Sequence, residues 1–426
     1  MIKKIAGLVF LASWCQVSSA ADAFGATAVV GPQTASVGFT TAEQAFDSLR
    51  QQNLSSIVPA YSGVEVASIA IDFRGLPLAV SYPIANDPRL ALNIPSLGIS
   101  RTFFGATREE SRKLLRDFFK NGDALSRIMK ELAKTSPVDP IAGNPNSLQS
   151  RMVSGTFERS FRSLVARFTA QSFGGVPTAS EKSTWMVAAA GESIAGVGRA
   201  DSSSAQTPSA SVGFELAGYR QADLRSVGAT APWTYSFPPN PDRPFSLEGD
   251  VQYTDTQGAK TYGLTVGAAY NFRMSDGWYL IPSSSFGLTG SEDLGALGEI
   301  VSVSLTSAAR LYKSAGATLW MGNAVNYLRT LNASIGSYSS DPRLANAAFV
   351  NGFVLSSPLA SLGRNYWIEY SLADTRYTGS DLYNRRYDEL GVSIARSNSS
   401  SYLRAGLSYL DGTHSKGWMF NFHYAF

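Results

Sequence analysis

This chain of 426 residues has little of what covalent and catalytic chemistry requires: one cysteine and two histidines. The cysteine, Cys15, lies in a stretch that reads as an export signal. Lys3 and Lys4 precede the apolar run Ile5 to Trp14, and Ser18-Ser19-Ala20 has the small-x-small form of a cleavage site. The mature chain is expected to begin at Ala21 with no cysteine, which excludes a disulfide framework and a thiolate metal site. Trp14 is too bulky for the position before a lipidated cysteine, which argues against lipoprotein processing. Loss of Lys3 and Lys4 takes the formal charge from +3 to +1, so the basic field that a nucleic-acid partner requires is missing.

Long apolar runs are missing as well. Beyond the signal no uninterrupted stretch reaches the roughly 20 residues of a membrane helix, and mean hydropathy is -0.05. A membrane-spanning reading therefore requires strands that are apolar on alternate positions only. Enzymatic readings suffer from the same scarcity. His414 sits in Asp411-Gly412-Thr413-His414-Ser415, which is ordinary turn composition, and no HExxH, glycine-rich phosphate loop or EF-hand loop is present. The expectation is a non-enzyme without cofactor or metal.

What is present divides into two parts. Residues 21–172 read as an α+β unit. Thr41-Ala42-Glu43-Gln44 is a capping box that opens a short helix ending near Asn53, and alternating segments follow at Val64 to Phe73, Leu76 to Tyr82, and Leu90, Leu92 and Ile94. Thr107-Arg108-Glu109-Glu110 opens a longer helix, with Leu114, Leu115, Phe118 and Phe119 on one face, which Asn121-Gly122 stops. A second helix starts at Asp123. After the loop from Pro137 to Ser147, a third carries Phe157, Phe161, Leu164, Val165 and Phe168 at helical spacing. Residues 173–183 read as a linker.

From Thr184 to Phe426 the period is two. Tyr262, Leu264, Val266, Ala268 and Tyr270 alternate, as do Tyr366, Ile368, Tyr370 and Leu372, and Leu403, Ala405, Leu407 and Tyr409. Short turns at 273–277, 312–316 and 397–400 interleave with longer, Tyr/Asp/Arg-rich loops at 337–346 and 376–385. At roughly 20 residues per strand and turn, about twelve strands are expected. The Pro-rich stretch from Gln221 to Pro244 and the first two strands are the weak points of that count. Trp278, Tyr279, Tyr366, Trp367, Tyr377 and Tyr387 lie near strand ends, where interfacial aromatic girdles sit.

The last strand is the most telling segment. Trp418, Phe420, Phe422, Tyr424 and Phe426 fall on one face of it. An aromatic terminal residue preceded by alternating aromatics resembles the Gram-negative outer-membrane β-barrels, the class of porins, autotransporter translocators and secretion channels. The resemblance implies a mainly-β fold, a transmembrane antiparallel barrel of about twelve strands over 184–426 behind the α+β domain. It also implies an outer-membrane location, lipid as surroundings, and barrel-insertion machinery as the partner that reads the aromatic ladder.

With the apolar residues facing lipid, Glu215, Glu248, Asp250, Glu369, Glu389, Arg404 and His423 face the lumen. That lumen leans acidic. Arg108, Arg112, Lys113, Arg116 and Lys120 on one N-terminal helix, and Arg151, Arg159, Arg162 and Arg167 on another, read first as solvated faces. The sharper alternative is a helix inserted in the lumen as a plug, with the helix from Ser150 to Phe168 the better placed.

Function is read as a channel for transport or secretion, gated or served by a periplasmic or plug domain, with cargo or a periplasmic partner unspecified. Two alternatives stand beside it. One is an autotransporter-like protein displaying residues 21–150 as a short passenger, and the other is a surface adhesin anchored by the barrel. A periplasmic N-terminal unit separates the first from the second, which requires a helix through the lumen.

Overall fold

The computed structural model describes residues 22–120, 122–173, 210–237, 245–335, 338–363, 365–398 and 401–426. The export signal, and most of the linker and first strands read from sequence, lie outside these residues.

The N-terminal unit is a six-stranded antiparallel sheet backed by helices. Its strands are β1 (Phe24–Val30), β2 (Gln33–Phe39), β3 (Ala67–Phe73), β4 (Leu76–Tyr82), β5 (Leu90–Ile94) and β6 (Ile99–Phe103), in the order β2-β1-β3-β4-β5-β6. The hairpin β1-β2 and strand β6 go beyond the sequence expectation. Gly31-Pro32 joins β1 to β2 with Gly31 at φ 53°, the left-handed first position that a tight hairpin turn of the II′ kind needs. The helix expected from Thr41 to Asn53 is two, α1 (Ala42–Asp47) and α2 (Gln51–Ile57), because Arg50 adopts an extended backbone between them. Helices α3 (Arg108–Lys120) and α4 (Gly122–Thr135) follow β6. At the start of α3 the expected capping box is in place: Thr107 Oγ1 accepts from the Glu110 amide at 3.2 Å, and the Glu110 carboxylate accepts from the Ala106 amide at 2.7 Å.

One buried ion pair ties this sheet to the loop that follows it. Arg74 occupies the left-handed turn between β3 and β4, and its guanidinium lies 3.3 Å from Asp139, both side chains being fully buried. Asp139 also accepts from the amides of Ile141 and Ala142 at 3.2 and 3.1 Å. The loop 137–147 is therefore a folded connection that aims the next helix.

That helix is continuous over α5 (Leu148–Phe157), a π turn (Glu158–Arg162) and α6 (Ser163–Phe173). The barrel then runs through β7 (Ala210–Gln221), β8 (Leu224–Phe237), β9 (Phe245–Thr256), β10 (Ala259–Tyr270), β12 (Trp278–Ser291), β13 (Ala296–Lys313), β14 (Thr318–Leu331), β17 (Ala345–Pro358), β18 (Tyr366–Gly379), β19 (Arg386–Ser397), β20 (Tyr402–Gly412) and β21 (Ser415–Ala425). The short β11 (Phe272–Ser275) continues the line of β10 and pairs with the start of β12, and β15 (Ala333–Ile335) pairs with β16 (Tyr338–Ser340) in the loop before β17. Every neighbour is antiparallel, β10 pairs with β12, and β21 pairs with β7, so the twelve strands close. The described part of the Pro-rich stretch that weakened the count forms β8, whose Pro232 is held between β7 and β9.

Period two sorts the side chains as the sequence requires. Val212, Phe214 and Leu216 on β7, Leu403 and Leu407 on β20, and Trp418, Phe420, Phe422, Tyr424 and Phe426 are all exposed on the outer wall. Phe237, Phe245, Phe272, Trp278 and Phe426 ring one rim, while Tyr253, Tyr262, Tyr327 and Trp418 lie toward the other, the arrangement of two interfacial girdles. Four of the six residues assigned to girdles from sequence are elsewhere. Tyr279, Trp367, Tyr377 and Tyr387 are buried inside. Adjacent residues of a strand face opposite sides, so Tyr279 cannot share a face with Trp278, nor Trp367 with Tyr366.

Candidate functional site

The lumen is occupied by the helix 148–173. At about 1.5 Å per residue it is roughly 39 Å long, enough to pass through the barrel from rim to rim. No described helix is long and apolar enough to cross lipid. This one crosses inside protein, where its charges meet partners.

Its N-terminus is set by Ser147, an extended N-cap whose hydroxyl accepts from the Ser150 amide. In the upper layer Arg151 reaches Glu215 at 2.9 Å, the Thr230 hydroxyl, and the Asn146 side-chain oxygen at 2.7 Å. Gln149 donates to Asn346 at 3.0 Å, and the Tyr387 hydroxyl meets Ser150 at 2.7 Å and Tyr377 at 2.6 Å. The π turn supplies the middle layer. Arg159 lies 3.2 Å from Glu248 and 3.1 Å from Asp250, Arg162 lies 3.4 Å from Glu389 and also meets the Ser371 hydroxyl, and Glu158 pairs with Arg404. In the lower layer Phe168 stacks between Tyr279 and Trp320, with centroids 5.2 and 5.4 Å away. Ala166, Ala170 and Phe173 pack with Trp367, Ala395, Tyr402 and Ala425.

Glycines in the wall let the apolar side of the helix approach. A Cβ on Gly322 would stand 2.6 Å from the Phe161 ring, and one on Gly352 would stand 2.9 Å from Phe157. Gly322→Leu is therefore expected to cost about 1–3 kcal/mol through overpacking and to push the helix off the wall. A lowered temperature for the heat-induced mobility shift on gels checks this, and the second change Phe161→Ala should restore it.

The helix leaves one side of the lumen unfilled. A cavity of about 110 Å³ lies beside Ser154 and Gly155, lined also by Glu215, Asp250, Glu389 and His423. Its lining mixes these polar groups with apolar side chains such as Phe157 and Leu410, and it is large enough for a few waters.

The seven residues assigned to the lumen from sequence occupy it as follows. Glu215, Glu248, Asp250 and Glu389 pair with arginines of the helix, and Arg404 pairs with Glu158. Glu369 accepts from the Trp367 indole at 2.7 Å and lies 3.8 Å from Arg404, and His423 stacks on Tyr402. The first reading of Arg151, Arg159 and Arg162 as a solvated face is corrected, because their guanidinium groups are enclosed by barrel carboxylates. A signal for this was present: the inward-facing list holds five carboxylates and one arginine, an imbalance that four arginines on one helix would offset. By contrast Arg108 and Arg112 on α3 serve their own unit, Arg108 against Tyr61 and Tyr82 and Arg112 against Glu109 and Asp47.

His414 and Asp411 engage different partners, His414 the Tyr383 carbonyl at 2.9 Å and Asp411 the Lys416 ammonium at 3.4 Å. Among the described residues no group of three or more His, Cys, Asp or Glu side chains could hold a metal ion.

The chain direction through this site is defined. Strands β7 and β21 begin and end at one rim, where the turns at 313–318 and 397–402 also lie, and Phe173 reaches that rim. The N-terminal unit sits on the opposite rim. There the Ala42 amide donates to Asp293 at 2.7 Å, the Asp341 amide to Ser126 at 2.8 Å, the Tyr383 amide to Ala133 at 2.9 Å, and the Asn384 amide to Gly143 at 2.8 Å. Residues 291–296, 338–344 and 380–385 thus clasp it as a cap.

No family model matches the sequence, and no curated protein matches it. Solved structures similar to the barrel half include the β domain of the Bordetella autotransporter BrkA, at 16% identity over 51% of this chain and 98% of that one, with a TM-score of 0.43. The translocator domain of the autotransporter NalP from Neisseria meningitidis shares 12% identity over 51% of this chain and 87% of that one, with a TM-score of 0.42. An outer membrane channel from Pseudomonas putida F1 shares 10% identity over 53% and 99%, with a TM-score of 0.38. The closed twelve-strand barrel with an apolar outer wall and a charged interior is an outer-membrane barrel.

Proposed function

We propose that this protein is a secretion barrel of the autotransporter type, with residues 22–147 held at the cell surface as a short cap or passenger, residues 148–173 as the threaded segment and the barrel as its translocator. One observation carries this reading: the helix enters the lumen at the rim under the N-terminal unit and leaves it at the rim where β7 and β21 have their free ends. In an even-stranded barrel assembled from the periplasm, both ends of the sheet lie on the periplasmic rim. The cap then stands outside. This favours the autotransporter-like alternative over a channel with a periplasmic gating domain, in which the N-terminal unit would sit at the other rim.

Single-cysteine labelling tests it, since the only native cysteine, Cys15, lies in the export segment. Lys130→Cys on the exposed side of α4 should react with a membrane-impermeant maleimide in intact cells, and Lys313→Cys at the far rim only after permeabilisation. The reverse pattern would return the periplasmic-domain channel.

A further inference from the structure

We propose that two copies of this chain associate side by side in the membrane through the outer wall of β14 and β17, with Asn323 and Asn351 at the centre of the interface. The two residues are cross-strand partners. Both face outward, in the rows Met321, Asn323, Val325 and Phe349, Asn351, Phe353. Asn323 stands five residues from Thr318, at the rim where β7 and β21 end, and four from Tyr327 in the opposite girdle. At about 3.3 Å per residue along strands tilted by about 40°, this places it roughly 10–13 Å from either edge, in the middle of the apolar belt. Four to seven residues from the same rim, the described outward positions of every other spanning strand hold apolar or aromatic side chains, glycine or serine. Asn323 and Asn351 are the two amides at that depth.

Hydrocarbon offers an amide no partner. Asn323 Nδ2 donates to Asn351 Oδ1 at 2.7 Å, which leaves one N–H and the oxygen of Asn323 and both N–H groups of Asn351 to be satisfied. The next residues along the row are engaged elsewhere. Ser307, opposite Asn323 on β13, accepts from the Trp278 indole at 3.0 Å. Asp374, opposite Asn351 on β18, is held by Arg376 and Arg386 at 3.0 and 3.6 Å. The groups left over include both donors and an acceptor, so the pair complements itself. A second copy rotated by half a turn about the membrane normal sets its Asn351 opposite Asn323 and its Asn323 opposite Asn351, the isologous geometry of a twofold interface. Inside a bilayer, where burying apolar surface gives no drive to associate, packing and such hydrogen bonds supply it. Phe349 and Phe353, both exposed and both longer than the asparagine between them, then close around the amides and keep lipid away.

This inference is independent of which rim faces the cell surface. The test uses full-length protein with Lys130→Cys on the cap as the dye site, labelled with donor and acceptor and diluted into lipid vesicles. Energy transfer should exceed that of randomly placed copies, and N323L/N351L in the same background should need about tenfold or more protein per lipid to reach it. That variant should keep the wild-type heat-induced mobility shift, since the change is on the lipid face. To place the contact, Val325→Cys in isolated outer membranes treated with copper phenanthroline should give a band of twice the chain mass. Leu216→Cys, outward on β7 across the barrel, should stay at the single mass. Random-level transfer in the wild-type wall, or equal transfer in N323L/N351L, would overturn the interface. Dimer formation through Leu216→Cys in place of Val325→Cys would overturn its position, and a Val325→Cys band at any mass other than twice the chain would overturn a second copy as the partner.

Discussion

A chain beginning at Thr184 will give conductance steps in planar bilayers at least about tenfold larger than the full-length protein, since a twelve-strand barrel lies between the filled eight-strand and the open sixteen-strand cases. The expectation follows from what the threaded helix occupies. Phe157, Phe161, Leu148 and Met152 pack against the wall with almost no exposure, and a cavity of about 110 Å³ beside the helix is lined in part by its arginines and the barrel carboxylates. Removing residues 148–173 withdraws three arginines from their carboxylates and leaves Glu215, Glu248, Asp250 and Glu389 facing water in an open pore. That pore should favour cations. Equal steps from the two proteins would exclude the helix as a plug, and the absence of steps from both would exclude a pore that the helix closes.

The second large effect is expected at Arg159. Its guanidinium is the cation for two carboxylates, Glu248 and Asp250, that are each about 2% exposed. Truncation in Arg159→Ala leaves both charges buried without it, a defect that typically costs about 3–5 kcal/mol. The heat-induced gel shift should fall well below the wild-type temperature, and full-length protein should begin to show open steps as the helix loosens. Neutralising all three groups, as Arg159→Met with Glu248→Gln and Asp250→Asn, should recover most of the loss, because a buried ion pair contributes little beyond a well-packed neutral replacement. A comparable loss in Arg220→Ser, on the exposed wall, would contradict this account, since exposed pairs are worth about 1 kcal/mol or less.

The same rules explain which parts of the molecule could be read in advance. Alternation assigns every strand residue a side from its immediate neighbours. Trp418, Phe420, Phe422, Tyr424 and Phe426 therefore reveal the lipid face, and Glu248 and Asp250 the opposite one, without knowledge of which strands pair. Capping is equally local: Thr107 and Glu110 announce α3 with no reference to the rest of the chain. Where local rules compete, reading fails. Trp278 and Tyr279 both have interfacial chemistry, and only strand geometry decides that Tyr279 turns inward onto Phe168.

The helix 148–173 shows the limit most clearly. Its spacing of Phe157, Phe161, Leu164 and Phe168 is that of any amphipathic helix, and its arginines suit water as well as a carboxylate. What distinguishes the two is the position of Glu215, Glu248, Asp250 and Glu389, which lie 64 to 227 residues away along the chain. No periodicity spans such a separation. The sequence by itself determined the barrel and the inward and outward sets of side chains, because both rest on short-range alternation, and it pointed to the compartment through the resemblance of its aromatic last strand to outer-membrane barrels. Only the tertiary structure decided that the helix runs through the lumen toward the rim of β7 and β21, because that depends on ring closure and on charges that meet only after the strands have paired.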